Sequence, residues 1–182
     1  MSVEAAGVVR SKPVYAAVPP VLSAGRRLLV AQDATLAEAA DLHGQLSADG
    51  QALELLSLRD GDGVHDHGDP QLLEMRLLTL LSAAPVGTRL YVCGDESFVW
   101  RIYRLARHCG LLAEEIELVK TGSRRELYCV HCATQQSIGS EGEVTCSGCG
   151  VRLLVREHFS RRLGAYMGVC LDPDQPHGEG RR

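Results

Sequence analysis

Aromatic side chains are scarce in this chain: five Tyr, two Phe and one Trp among 182 residues. Apolar residues make up 45% of the sequence, enough for a packed core, but its bulk has to come from Leu, Val and Ala. An excess of basic charge is also missing. Nineteen Lys and Arg against 23 Asp and Glu leave a net charge of −4, which removes the general electrostatic case for nucleic acid as a partner. No apolar run approaches the ~20 residues that carry a helix across a bilayer, so no membrane association is expected. Near the start, "AGVVRSKPVYAAVPPVL" is interrupted by Arg10, Lys12 and three prolines. It makes a poor secretory leader, and a cytoplasmic location is the default expectation.

Cysteine, by contrast, is plentiful at seven residues. The odd number, the missing leader and the tight clustering of four of them argue against a disulfide-held secreted domain. Cys93, Cys109 and Cys170 stand alone and read as small buried apolar residues.

Residues 1–25 are rich in Ala, Val and Pro without a clean period and read as an extended N-terminal arm. From Arg26 the pattern sharpens. "LLVA" (28–31) is a short apolar run suited to a buried parallel strand. The following helix should bury Leu36, Ala39, Ala40, His43 and Leu46, and "ALELLSL" (52–58) is the next strand. "RDGDGVHDHGD" (59–69) is loop chemistry, and its His65, Asp66 and His67 read as a solvated turn rather than a metal site. The next helix starts at Pro70 and stops before Pro85. Its apolar residues nearly surround the axis, which predicts cover on most sides. "TRLYVCGDESFVWRIYRLARHCGLLAEEIELV" then reads as strand, turn, helix and strand. Asp95 is the helix N-cap, Val99, Ile102, Leu105, Ala106 and Cys109 form its buried stripe, and Gly110 ends it. Strand alternating with helix is the signature of a parallel sheet. Residues 26–120 therefore read as a small three-layer α/β domain. The polar stretch "KTGSRRE" marks its boundary, residues 126–171 form a second module, and residues 172–182 a flexible tail.

The second module contains "CVHCATQQSIGSEGEVTCSGCG" (129–150), with two Cys-x-x-Cys pairs separated by thirteen residues. Each pair brings two thiolates to one ion, and two pairs complete a tetrahedral four-sulfur shell. Cys129, Cys132, Cys146 and Cys149 are the predicted metal ligands; a pair of disulfides or unligated thiols is the alternative. "ELYC" before and "VRLLV" after are strand-like, and the thirteen residues between read as a polar hairpin link. His131, inside the first pair, is expected on the surface rather than as a fifth ligand. Tetrahedral thiolates suit zinc or a single iron, which the spacing alone does not separate; a two-iron cluster normally uses other spacings. Zinc is the expected ion, as a folding brace for a segment too small to stand alone. Iron in the same shell would make a rubredoxin-like redox centre.

Two resemblances add to this reading. "YVCGDESFVWRIYRLARHCGLLAEEIEL" (91–118) is similar to the end of the nicotinamide-binding domain of ferredoxin-reductase-like proteins, which implies that Cys93 and Gly94 occupy a turn near a nicotinamide. Those proteins also carry a glycine-rich phosphate loop. The corresponding "AQDAT" has no glycine, so close backbone approach to a pyrophosphate is not expected and no cofactor-binding residue is assigned. The second resemblance covers most of the chain. "VRSKPVY", "YVCGDESFVW", the cysteine ribbon and "REHFSRRLGAYMGV" together resemble the small A subunit of bacterial dimethylamine monooxygenase, the DmmA family. The resemblance implies a hetero-oligomer that oxidises dimethylamine to methylamine and formaldehyde with O2 and NAD(P)H, with haem, FMN and an iron–sulfur cluster in its other subunits.

No complete active site is legible in this chain, and no catalytic residue is assigned; His158, Ser160 and Tyr166 lie close in sequence, but local sequence does not gather them around a substrate. The segment around them reads as a docking surface. Arg156, Arg161 and Arg162, with Arg152, would meet an acidic partner, while Phe159, Leu163, Tyr166 and Met167 serve as apolar anchors. The expectation is a non-catalytic accessory subunit with a structural zinc ribbon. An electron-transfer subunit with iron is the first alternative, and a stand-alone zinc-ribbon adaptor the second.

Overall fold

The structure, a computed structural model, describes residues 11–15, 19–59 and 68–176. They form two compact units, one of residues 15–124 and one of residues 11–14 with 125–176. His65, Asp66 and His67, most of the arm and the end of the tail lie outside the described residues. Among the described residues no helix is long and apolar enough to cross a membrane.

In the first unit, four parallel strands, β1 (Arg26–Ala31), β2 (Leu53–Ser57), β3 (Thr88–Gly94) and β4 (Ile116–Lys120), pair in the order β2-β1-β3-β4. Leu28, Leu29, Val30 and Ala31 are fully buried, as a central strand covered on both faces requires. Helix α1 (Ala37–Ser47) packs Ala39, Leu42 and Leu46 against Leu29, Ala31, Tyr91, Cys93 and Val119. The chain turns back over β1 to reach β3, so right-handed crossovers place α2 (Pro70–Ser82) and α3 (Glu96–His108) together on the other face.

Of the expected α1 stripe, Ala39 and Leu46 are buried as read, but the rest is out of register. Leu42 is buried, whereas Leu36, Ala40 and His43 are exposed. The i, i+3, i+7 set 39, 42 and 46 is the one that faces the sheet. Helix α2 is also less covered than expected: Leu73, Leu77, Leu80 and Leu81 are buried, but Leu72, Met75 and Leu78 are 53%, 63% and 38% exposed. Helix α3 starts as read, with the Asp95 carboxylate accepting from the Phe98 N–H at 2.8 Å, and ends at Gly110, whose φ is +99°. Leu105 and Cys109 are only half-buried.

A charge unforeseen in the sequence lies in this core. Arg27 is 1% exposed. Its guanidinium donates to the carbonyls of Leu46 and Leu22 at 2.9 and 3.0 Å and to both oxygens of Asp49 at 2.7 and 2.8 Å. It ties the end of α1 and the incoming arm to β1, so the buried charge is hydrogen-bonded rather than stranded. The Tyr91 hydroxyl adds to this: it donates to the Pro20 carbonyl and accepts from the Leu22 N–H, each at 3.3 Å.

The second unit is a five-stranded sheet of β5 (Arg125–Cys129), β6 (Gln135–Ile138), β7 (Glu143–Thr145), β8 (Arg152–Ser160) and β9 (Ala165–Cys170), in the order β6-β5-β9-β8-β7. Strands β5 and β6 pair antiparallel, as do β7 and β8. The link between the cysteine pairs is therefore not itself a hairpin: its two strands belong to separate hairpins, each folded around one pair. Strand β9 lies between them, parallel to β5 and antiparallel to β8. The expected docking segment is thus the middle of this sheet. Phe159 and Tyr166, expected as surface anchors, are 4% and 2% exposed and pack edge-to-face at 5.0 Å; they are core residues. Met167 is half-buried, and Arg156, Arg161 and Arg162 remain exposed.

The phase of α1 is open to a direct check. Leu42→Ala should cost about 2–4 kcal/mol in urea denaturation, and His43→Ala should stay within about 0.5 kcal/mol. Equal effects of the two substitutions would reject the burial pattern described here.

Candidate metal centre

The two Cys-x-x-Cys segments occupy the turns of their hairpins and repeat one hydrogen-bond pattern. In the first, the Cys129 N–H donates to the Thr134 carbonyl and the Ala133 N–H to the Cys129 carbonyl, both at 2.9 Å. In the second, the Cys146 N–H donates to the Val151 carbonyl and the Gly150 N–H to the Cys146 carbonyl, again at 2.9 Å. Ala133 and Gly150 hold equivalent left-handed positions, with φ of 63° and 72°. That conformation reverses the chain after the second cysteine and turns both thiols of each pair inward.

The outcome is a cluster. The four sulfurs all lie within 4.8 Å of one another. Cys132 Sγ is 3.6 Å from Cys146 Sγ, and Cys129 Sγ is 3.9 Å from Cys149 Sγ. A tetrahedral ion with metal–sulfur bonds of about 2.3 Å requires sulfur–sulfur edges of about 3.8 Å. The donor set is all sulfur, the chemistry of a soft-metal shell. His131 is exposed and is not part of the cluster.

The four thiols are not equivalent. Cys129 and Cys146 are buried, Cys149 is half-buried and Cys132 is exposed. Burial pushes the Cys129 thiol up to about 12. The Thr134 hydroxyl, 3.2 Å from Cys132 Sγ, holds that thiol down to about 6. Thr134 has a second role. A Cβ on Gly148 would fall 2.2 Å from Thr134 Oγ1, so a side chain at residue 148 would clash with Thr134 unless Thr134 moved. Neither Thr134 nor Gly148 was singled out by the ligand motif. The available signal was the internal repeat, which sets Ala133 opposite Gly150.

Other residues flagged in the sequence do not gather. His158 Nδ1 lies 3.1 Å from Ser11 Oγ, which also accepts from the Phe159 N–H at 3.0 Å. These contacts fall at the register shift between Val155 and Phe159, where the β8–β9 ladder is interrupted. Ser11 thus supplies a hydrogen bond that the ladder lacks. Ser160 closes the β8–β9 turn through the Leu163 and Gly164 N–H groups, and Tyr166 is core.

At the carboxyl end of the parallel sheet, polar groups bond to one another beside a cavity of about 220 Å³ lined by Gln32, Arg59, Asp95, Ser97, Arg101 and Arg124. After β1, the Gln32 N–H donates to the Cys93 carbonyl at 2.8 Å, the Ala34 N–H to the Arg59 carbonyl at 2.7 Å and the Thr35 N–H to Asp33 Oδ1 at 2.9 Å. Gln32 and Asp95 bond reciprocally: the Asp95 N–H reaches Gln32 Oε1 at 2.7 Å and Gln32 Nε2 reaches Asp95 Oδ2 at 2.9 Å. The donors that cradle a pyrophosphate in dinucleotide-binding folds are here spent on protein acceptors. A Cβ at Gly94 would meet Phe98 Cδ1 at 2.5 Å, so packing alone accounts for this glycine. Cys93 is buried, and desolvation pushes its thiol up to about 11.

Comparison with known proteins bears on the whole chain. The family description "Dimethylamine monooxygenase subunit DmmA-like, N-terminal domain" matches residues 7–116, and its C-terminal counterpart matches residues 126–169. The chain is 45% identical over 168 residues, covering 92% of its own length and 91% of the relative, to a protein of Ectopseudomonas mendocina (strain ymp) named heme-dependent oxidative N-demethylase delta subunit. No solved structure matches it. The chain belongs to the DmmA-like family of dimethylamine monooxygenase subunits.

Proposed function

We propose that this chain is a non-catalytic assembly subunit of a multi-subunit secondary-amine N-demethylase, braced by one zinc ion on Cys129, Cys132, Cys146 and Cys149. The complex takes dimethylamine to methylamine and formaldehyde with O2 and NAD(P)H, and haem, FMN and an iron–sulfur cluster reside in its other subunits. The observation that carries the metal assignment is the convergence of four sulfurs at distances of 3.6 and 3.9 Å for two of the pairs, close to a tetrahedral edge. Zinc bound there supplies a redox-inert cross-link between the two hairpins. The name of the relative supports membership of a haem-dependent complex. The self-satisfied loop after β1 and the engagement of His158 by Ser11 support a scaffolding role over a catalytic one.

The exposed tip of the β8–β9 turn is the proposed docking point on this unit. Arg161 and Arg162 stand there in solvent, suited to an acidic partner surface. One observation keeps a second reading open: Cys132 is exposed and Cys149 half-buried, so an iron ion in this shell would present an accessible edge for electron transfer.

Freshly purified, untagged protein should contain about one zinc per chain and be colourless. Chelation should abolish hydrogen-exchange protection in residues 125–170 while leaving residues 26–120 protected. Iron with visible thiolate absorption would establish the second reading, and full protection in metal-free protein would remove the brace. Gly148→Ala should weaken metal binding on the order of tenfold, with partial rescue by Thr134→Ala, as read by competition with a chromogenic chelator. The charge reversals Arg161→Glu and Arg162→Glu together should weaken assembly with co-expressed partner subunits on the order of tenfold and leave the melting temperature and metal content unchanged. Unimpaired assembly would place the docking surface elsewhere.

A further inference from the structure

Helix α2 carries seven large apolar side chains in thirteen residues, and its sequence asks for cover on most sides. The described residues provide cover on one. Leu73, Leu77, Leu80 and Leu81 face the sheet, while Leu72, Met75 and Leu78, spaced i, i+3 and i+6, keep exposures of 53%, 63% and 38%. Two ion pairs orient the helix. Glu74 pairs with Arg101 on α3, and Arg76 pairs with Glu54 of β2 at 3.3 Å. The uncovered residues lie between those directions, on the outward arc of the helix.

Beside this stripe, the solvent side of α3 carries Arg101, Arg104 and Arg107, with His108 in the last turn. Glu96 is the only acid on α3, and it is buried. Arg104 and Arg107 donate to backbone carbonyls, of Trp100 at 3.4 Å and Leu111 at 2.6 Å. The outer layer therefore joins an apolar stripe to a row of guanidiniums for which Glu74 is the sole carboxylate partner among the described residues.

We infer that the outward face of α2 and α3 docks an acidic, amphipathic surface of another subunit of the complex. Such a surface would bury Leu72, Met75 and Leu78 and set carboxylates against Arg104 and Arg107. A second copy of the chain fits less well, because an isologous contact would bring the arginine rows toward each other. This inference rests on the chain being a subunit of a larger complex and names a face separate from the arginines of the β8–β9 turn.

The test is assembly of the full chain with its co-expressed partner subunits, measured by sedimentation. Met75→Glu and Arg104→Glu should each weaken assembly by about tenfold or more, with unchanged melting temperature and zinc content. Met75→Gln, nearly equal in volume, guards against loss of folding and should weaken assembly in the same direction. Wild-type affinity in all three variants would overturn the inference and leave the subunit reading standing. Failure of the wild-type chain to assemble would overturn both. Self-association of the isolated chain that Met75→Glu abolishes, or Met75-dependent binding to phosphatidylglycerol vesicles, would assign the face to a second copy or to a membrane and equally overturn the inference.

Discussion

In the second unit four thiols come together in one small volume. Its strands run from three to nine residues, and its interior is built from few large side chains, chiefly Leu127, Leu153, Phe159 and Tyr166. An apolar interior of that size contributes little against the entropy of ordering the chain. The two hairpins on the outside of the sheet touch through their cysteine-bearing turns, and between them β9 pairs with both β5 and β8. Strand β9 itself contributes none of the four thiols.

The parallel-sheet unit answers the same requirement without a cross-link. Its central strands are buried on both faces, and helix caps and loop side chains satisfy the polar groups at their ends. Gln32 and Asp95 bond each other at the N-terminus of α3. Arg27 joins the arm, α1 and β1 through four hydrogen bonds.

The same contrast explains the proposed division of labour. Among the described residues, Cys93 and Tyr166 are buried and His158 is engaged by Ser11. What the two units leave outward is charge and apolar surface: the arginines of the β8–β9 turn on one, the outer helix layer on the other.

Periodicity and spacing determined the order of strands and helices in the first unit, the caps at Asp95 and Gly110, and the identity of the four clustered cysteines. These are local matters: a 2- or 3.6-residue period, a turn residue and a knuckle motif are visible within a few positions. Residues 129, 132, 146 and 149 were legible for that reason. The phase of α1 was not, because Ala39, Ala40, Leu42 and His43 allow more than one stripe and only the sheet beneath selects Leu42. Nor could sequence tell that Phe159 and Tyr166 are core, since that follows from β9 entering between two hairpins formed earlier in the chain. The contacts of Arg27 with Leu22, Leu46 and Asp49, and of Ser11 with His158 and Phe159, link residues whose proximity only the tertiary structure decided. A hydrogen bond between distant segments leaves no period in the sequence for a reader to find.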